Sequence, residues 1–124
     1  MSKTLFERLG EREGITKIVD DVIDAHMKNP VISSRFLPYL ETPERLANAK
    51  LHTVEFFCAG SGGPVTYNGR EMPEAHRGMN ISPAEYMQAI DDVLSVLDKH
   101  AIDEESKKEV LAILWSLKGM IIAQ

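Results

Sequence analysis

The chain has 124 residues, 44% hydrophobic and 27% charged, which suits one folded domain with a real core and excludes a disordered segment. Its formal net charge is −5. That argues against a nucleic-acid partner, because neutralising phosphates needs a basic face, and against a polybasic membrane anchor. No stretch approaches the roughly 18 apolar residues of a spanning helix, and Met1 to Glu7 lacks the apolar run of a signal peptide. The one cysteine, Cys58, cannot pair within the chain, so a cytoplasmic location is expected. No internal repeat or low-complexity segment is present.

Thr4-Leu5-Phe6-Glu7 has the form of a capping box and predicts a short helix that stops at Gly10. From near Gly14, the residues Ile15, Ile18, Val19, Val22, Ile23, His26 and Met27 recur at helical spacing. They predict a second helix that Asn29-Pro30 ends. Residues 31–41 read as short and irregular, with Phe36 as the apolar anchor. Thr42-Pro43-Glu44-Arg45 caps a third helix running to about Ala59. On it Leu46, Ala49, Lys50, Thr53, Phe56 and Phe57 share a face, with His52 at one edge.

Ala59 to Pro64 is glycine-rich and predicts a loop that continues through Tyr67-Asn68-Gly69. Pro73 then starts one helical turn carrying Ala75 and His76, and Gly78 closes it. Ser82-Pro83-Ala84-Glu85 is a second capping box, followed by a helix marked by Tyr86, Ile90, Val93, Leu94 and Leu97. Asp103 caps the last helix, which carries Val110, Leu111, Leu114, Leu117 and Ile121. No alternating, β-branched segment appears. The expected fold is all-α, a single domain over residues 1–124.

Several enzyme signatures are missing. Gly60-Ser61-Gly62-Gly63 lacks the lysine of a phosphate loop. Neither His-Glu-x-x-His nor Cys-x-x-Cys occurs. Cys58 has no histidine nearby in sequence and reads as a buried small hydrophobe. His26, His52, His76 and His100 do not have zinc-ligand spacing. His100 sits at a helix C-terminus, where a cation suits the dipole. His26 lies on the apolar stripe and reads as a core or edge residue.

His76 and His52 stand apart. His76 lies on a short element behind a long glycine-rich loop, and such loops are often functional. His52 precedes Phe56 and Phe57 by about one turn. Apolar walls with one or two histidines are what a haem pocket requires. Aromatics at helical spacing also serve as plain core, and spacing leaves both readings open.

The ordered set Leu5-x-x-x-Leu9-Gly10, Gly14-Ile15, Val54-Glu55-Phe56-Phe57, Gly62-Gly63-Pro64, Tyr67-x-Gly69-Arg70-x-Met72 and Ala75-His76 resembles the group I truncated haemoglobins. The resemblance runs along nearly the whole chain. It implies a truncated two-over-two globin sandwich, with an abbreviated first helix and a proximal helix reduced to a turn. It implies haem b (iron protoporphyrin IX), with His76 as the proximal iron ligand and its second ring nitrogen donating to a carbonyl or water. It also places Phe36, Ala49, Thr53, Phe57 and Met72 on the pocket wall. No Cys-x-x-Cys-His or last-helix histidine is present for covalent attachment.

The distal side departs from the family. Its usual tyrosine is Ile23 here, and its frequent glutamine is Thr53. His52 falls where some members carry a second iron ligand and many carry a lysine that reaches a haem propionate. It therefore has three readings: distal iron ligand, propionate or distal-water partner, and solvent-edge residue. The resemblance implies oxygen binding or transport, or nitric oxide binding, and extends to nitric oxide dioxygenation. The implied partners are diatomic gases and a reductase, and the expected state is a monomer or weak homodimer. A bis-histidine redox or ligand-sensing module and a haem-free interaction domain are the alternatives.

Overall fold

A computed structural model describes residues 3–64, 67 and 72–122. Among the described residues seven α-helices follow in order: α1 (Leu5–Arg8), α2 (Glu11–Lys28), α3 (Ser33–Phe36), α4 (Pro43–Gly60), α5 (Met72–Ala75), α6 (Pro83–Lys99) and α7 (Glu104–Ile121). A 3-10 turn, Leu37–Glu41, lies between α3 and α4. The only β feature among the described residues is an isolated parallel bridge between Ile81 and Ile122. The expected course through Asn68, and the motif residues Gly69 and Arg70, lie outside the described residues.

Three helix starts obey their local chemistry. At α1, the Glu7 amide donates to Thr4 Oγ1 at 3.1 Å and the Thr4 amide donates to Glu7 Oε1 at 2.9 Å. At α6, Ser82 and Glu85 make the same reciprocal pair at 3.1 and 3.0 Å. At α7, the Ser106 amide donates to Asp103 Oδ2 at 3.0 Å. Each pair satisfies amides that have no intrahelical partner.

Three expectations need correction. α2 starts at Glu11, and Gly14 lies inside its first turn. A Cβ on Gly14 would sit 2.4 Å from the Leu9 carbonyl oxygen, so the glycine permits a close approach of α1 to α2 and does not mark a helix boundary. Residues 31–41 are not irregular: α3 and the 3-10 turn occupy most of them. α3 lacks a local cap and is held by a tertiary ion pair, Arg35 Nε to Glu85 Oε2 at 2.5 Å. Thr42 occupies the N-cap of α4, but its side chain makes no capping hydrogen bond there.

The core forms where α2 packs against α4 and α6, and α6 against α7. This is the pairing expected of a two-over-two sandwich. The predicted stripe of α2 is buried from Ile15 to His26. It meets Val54 and Cys58 of α4, Val93, Val96 and Leu97 of α6, and Val110 of α7. A second cluster gathers Tyr86, Ile90 and Ile121, with Met72, Leu114 and Leu117 packed on it. The Tyr86 hydroxyl donates to the Leu114 carbonyl, so the buried phenol keeps a partner. The Phe6 amide donates to the Ser61 carbonyl at 2.9 Å, tying α1 to the end of α4.

Candidate functional site

His76 follows directly on α5 and is half-buried. Its backbone amide donates to the Met72 carbonyl at 3.2 Å. Its Nδ1 lies 2.8 Å from the same oxygen. A carbonyl only accepts, so Nδ1 carries a proton, and in the neutral ring the lone pair lies on Nε2. The short turn therefore sets both the tautomer and the ring direction. Met72 packs against the Tyr86, Ile90 and Ile121 cluster, which anchors the turn to α6 and α7.

On α4, Val54 is buried and Cys58 is 0% exposed, while Ala49, Thr53, Phe56 and Phe57 beside them are half-buried. Phe56 meets Phe57 edge-on at 6.1 Å and Tyr67 edge-on at 5.4 Å. Thr53 Oγ1 donates to the Ala49 carbonyl at 2.7 Å. A hydroxyl has one proton, so in this geometry Thr53 can offer only its lone pairs to another group. Ile23 on α2 is 9% exposed and belongs to the main core cluster, against which Phe57 also packs. Phe36 is half-buried on α3, its ring 4.9 Å from that of His26.

The candidate residues thus fall into two groups. Ile23 and Phe57 share the main cluster, and Met72 belongs with the second. His52 lies on the exposed side of α4, and among the described residues no hydrogen bond or ring contact joins it to His76. Burial pushes the Cys58 thiol above its ordinary value, which suits an inert core residue and not a nucleophile. Among the described residues no cluster of three or more His, Cys, Asp or Glu side chains could hold a bare metal ion. No described helix is long and apolar enough to cross a membrane.

One group of functional interest escaped the sequence. His26 is buried, and its Nδ1 lies 2.8 Å from Asp92 Oδ2 on α6. Sequence separation of 66 residues hides that partner. The only signal was a histidine within an apolar stripe, which implies that a partner must exist.

Comparison with known proteins agrees with this architecture. Residues 4–123 match the family described as bacterial-like globin, and the chain belongs to that family. It is similar to the group 1 truncated haemoglobin of a Nostoc species, with 23% identity over 119 residues, 96% of this chain and 97% of the relative. The Synechocystis group 1 protein is 28% identical over 117 residues, covering 89% of this chain and 88% of the relative. Among solved structures, the Fe(III) form of the Tetrahymena pyriformis truncated haemoglobin superposes with a TM-score of 0.85 at 18% identity, covering 98% and 100% of the two chains. A Synechococcus 2/2 haemoglobin with covalently attached haem gives 0.82 at 19% identity and 94% coverage of each.

The chain is therefore a globin, and haem is the cofactor of such proteins, held through a proximal histidine. The donor set fits that group. Among the described residues His76 Nε2 has no hydrogen-bond partner, behind an Nδ1 fixed by Met72, and half-buried apolar side chains lie on α3, α4 and α5.

Proposed function

We propose that this globin binds one b-type haem through His76 and uses it to bind diatomic gases. The observation that carries the proposal is the 2.8 Å contact between His76 Nδ1 and the Met72 carbonyl. It orients Nε2 as the lone-pair donor of the neutral ring, and the carbonyl that accepts from Nδ1 raises its basicity. Phe36, Ala49, Thr53, Phe57, Met72 and Ile23 would supply the apolar walls.

When bound, haem supplies reversible binding of oxygen and nitric oxide, and oxidation of nitric oxide by oxygen to nitrate with one electron drawn from ferrous iron. The chain's own residues set the balance between these. Ile23 has no donor, and the Thr53 proton is engaged by Ala49. Ile23 and Thr53 would then offer bound oxygen no hydrogen bond, a contact worth about 1–3 kcal/mol. His52 supports a role at the edge of the pocket, because it is exposed on α4. From there a ring N–H would be able to donate to a propionate carboxylate. Repeated turnover of nitric oxide would call on a reductase to restore ferrous iron.

The test is to mix the oxygenated protein with nitric oxide. Stoichiometric nitrate and ferric iron are expected, and their absence removes the dioxygenase reading. The second reading is a bis-histidine redox or sensing module, favoured by the apolar Ile23. It predicts a low-spin six-coordinate ferric spectrum that His52→Ala abolishes. Survival of that spectrum in His52→Ala removes His52 as an iron ligand.

A further inference from the structure

α6 and α7 turn two ridges to solvent. On α7, Lys108, Leu111, Trp115 and Lys118 recur at spacings of 3, 4 and 3 residues and share one helix face. Leu111 is exposed, and Trp115 is 48% exposed. The Lys118 ammonium lies 3.7 Å from the Trp115 ring centroid, a cation–π contact made at the surface. On α6, Met87, Asp91 and Asp98 share a face at spacings of 4 and 7, and all three are exposed. Two bonds tie the ridges side by side. Lys107, next to Lys108, donates to Asp98 Oδ1 at 2.6 Å. Tyr86, next to Met87, donates to the carbonyl of Leu114, next to Trp115.

One ridge is basic and aromatic, the other acidic with a methionine. Tryptophan and methionine are enriched where proteins associate. Two lysines beside an indole stand out on a chain of net charge −5, and they suit an acidic partner with apolar side chains. The α6 ridge has that chemistry, but within one chain it lies beside the α7 ridge and cannot face it. A second copy can. A two-fold axis parallel to the helices lays α7 of each copy on α6 of the other, and the same contact forms twice. Counting 1.5 Å per residue from the Lys107–Asp98 bridge, Asp98 comes level with Lys108 of the other copy, and Asp91 comes within about 6 Å of the level of Lys118, the reach of a lysine side chain. Met87 then faces Trp115. Asp91 and Lys108 have no ion-pair partner within the chain among the described residues. An anionic membrane fits less well, because Asp91 and Asp98 would face its headgroups.

We propose that the α6–α7 surface is an interface with a second copy of this chain, the α7 ridge of each copy seated on the α6 ridge of the other. Trp115 is its apolar centre, and Asp91 with Lys118 and Asp98 with Lys108 set the register. Neither ridge carries a residue assigned to the haem pocket, so the inference stands apart from the haem reading.

The experiment is sedimentation equilibrium of the full chain with haem added. The mass should rise from one chain toward two between about 1 and about 500 μM, the range suited to a small interface. Trp115→Glu should weaken the dimer by more than about tenfold. Asp91→Lys and Lys118→Glu should each weaken it by about tenfold, since each brings like charges together at both copies of the contact. Mixing those two variants restores opposite charges at both contacts, and the mixture should regain the wild-type dimer. Circular dichroism checks that each variant keeps its helices; should Trp115→Glu lose them, the Asp91 and Lys118 variants carry the test. A wild type that stays monomeric at about 500 μM overturns the proposal. So does a dimer that none of the variants weakens, or a mixture no heavier than its parts. Monomers that instead co-sediment with phosphatidylserine vesicles assign the surface to a membrane and overturn it equally.

Discussion

The two flanks of α4 differ. On one, Val54 and Cys58 close against Ile15, Val19 and Leu97, and nothing there is left for solvent or ligand. On the other, Ala49, Thr53 and Phe56 are half-buried, as are Phe36, Met72 and His76 on their own elements. The first flank is finished by aliphatic side chains interlocking at core density. The second keeps the Phe56 ring partly open. Aromatic residues that served only as core would be expected on the closed side. We propose that the difference separates what stabilises the fold from what would hold a cofactor.

Substitutions should respond differently on the two flanks. Ile15→Ala, at 1% exposure, should cost about 2–5 kcal/mol of stability by denaturant titration, in haem-free and haem-loaded protein alike. Phe36→Ala, half-buried and outside both core clusters, should destabilise the haem-free protein less and accelerate haem loss more. Equal losses of haem-free stability in both variants would erase the distinction between the flanks.

Ile23→Tyr tests the donor-poor distal wall next. A phenol there should slow oxygen dissociation by about tenfold to a hundredfold in stopped flow. An unchanged rate would mean that position 23 does not face the ligand. A smaller effect belongs to the α3 corner. The Arg35 guanidinium and the Ser82 amide hold the Glu85 carboxyl down at about 2. Its contribution is present above the ordinary carboxylate value of about 4.5 and is lost as pH falls toward about 2. Glu85→Gln should therefore cost about 1 kcal/mol at neutral pH and leave a shallower acid limb in thermal unfolding. The smallest effect is expected of Thr53→Val. Its hydroxyl proton is engaged by Ala49, so oxygen affinity should change by less than about twofold. A large drop would show that the hydroxyl turns toward the ligand.

What could be read from the sequence was local. Thr4 with Glu7, Ser82 with Glu85, and Asp103 set helix starts through contacts three residues apart, so residue identities suffice. The stripe of α2 is legible for the same reason, since periodicity reports the buried face directly. The short turn that carries His76 was legible; the role proposed for His76 as iron ligand comes from the resemblance. The α3 helix was not legible, because Glu85 lies 50 residues from Arg35. The partner of His26 was hidden in the same way. The engagement of Thr53 by Ala49 was hidden by choice of rotamer, since a threonine hydroxyl can turn back to the helix or outward.

The central claim is that His76 Nε2 holds haem. The direct measurement is the absorption spectrum of His76→Gly protein mixed with haem, recorded without and with added imidazole. The account predicts a lost or displaced Soret band that free imidazole restores toward the wild-type position. A wild-type Soret band in His76→Gly without imidazole would contradict it.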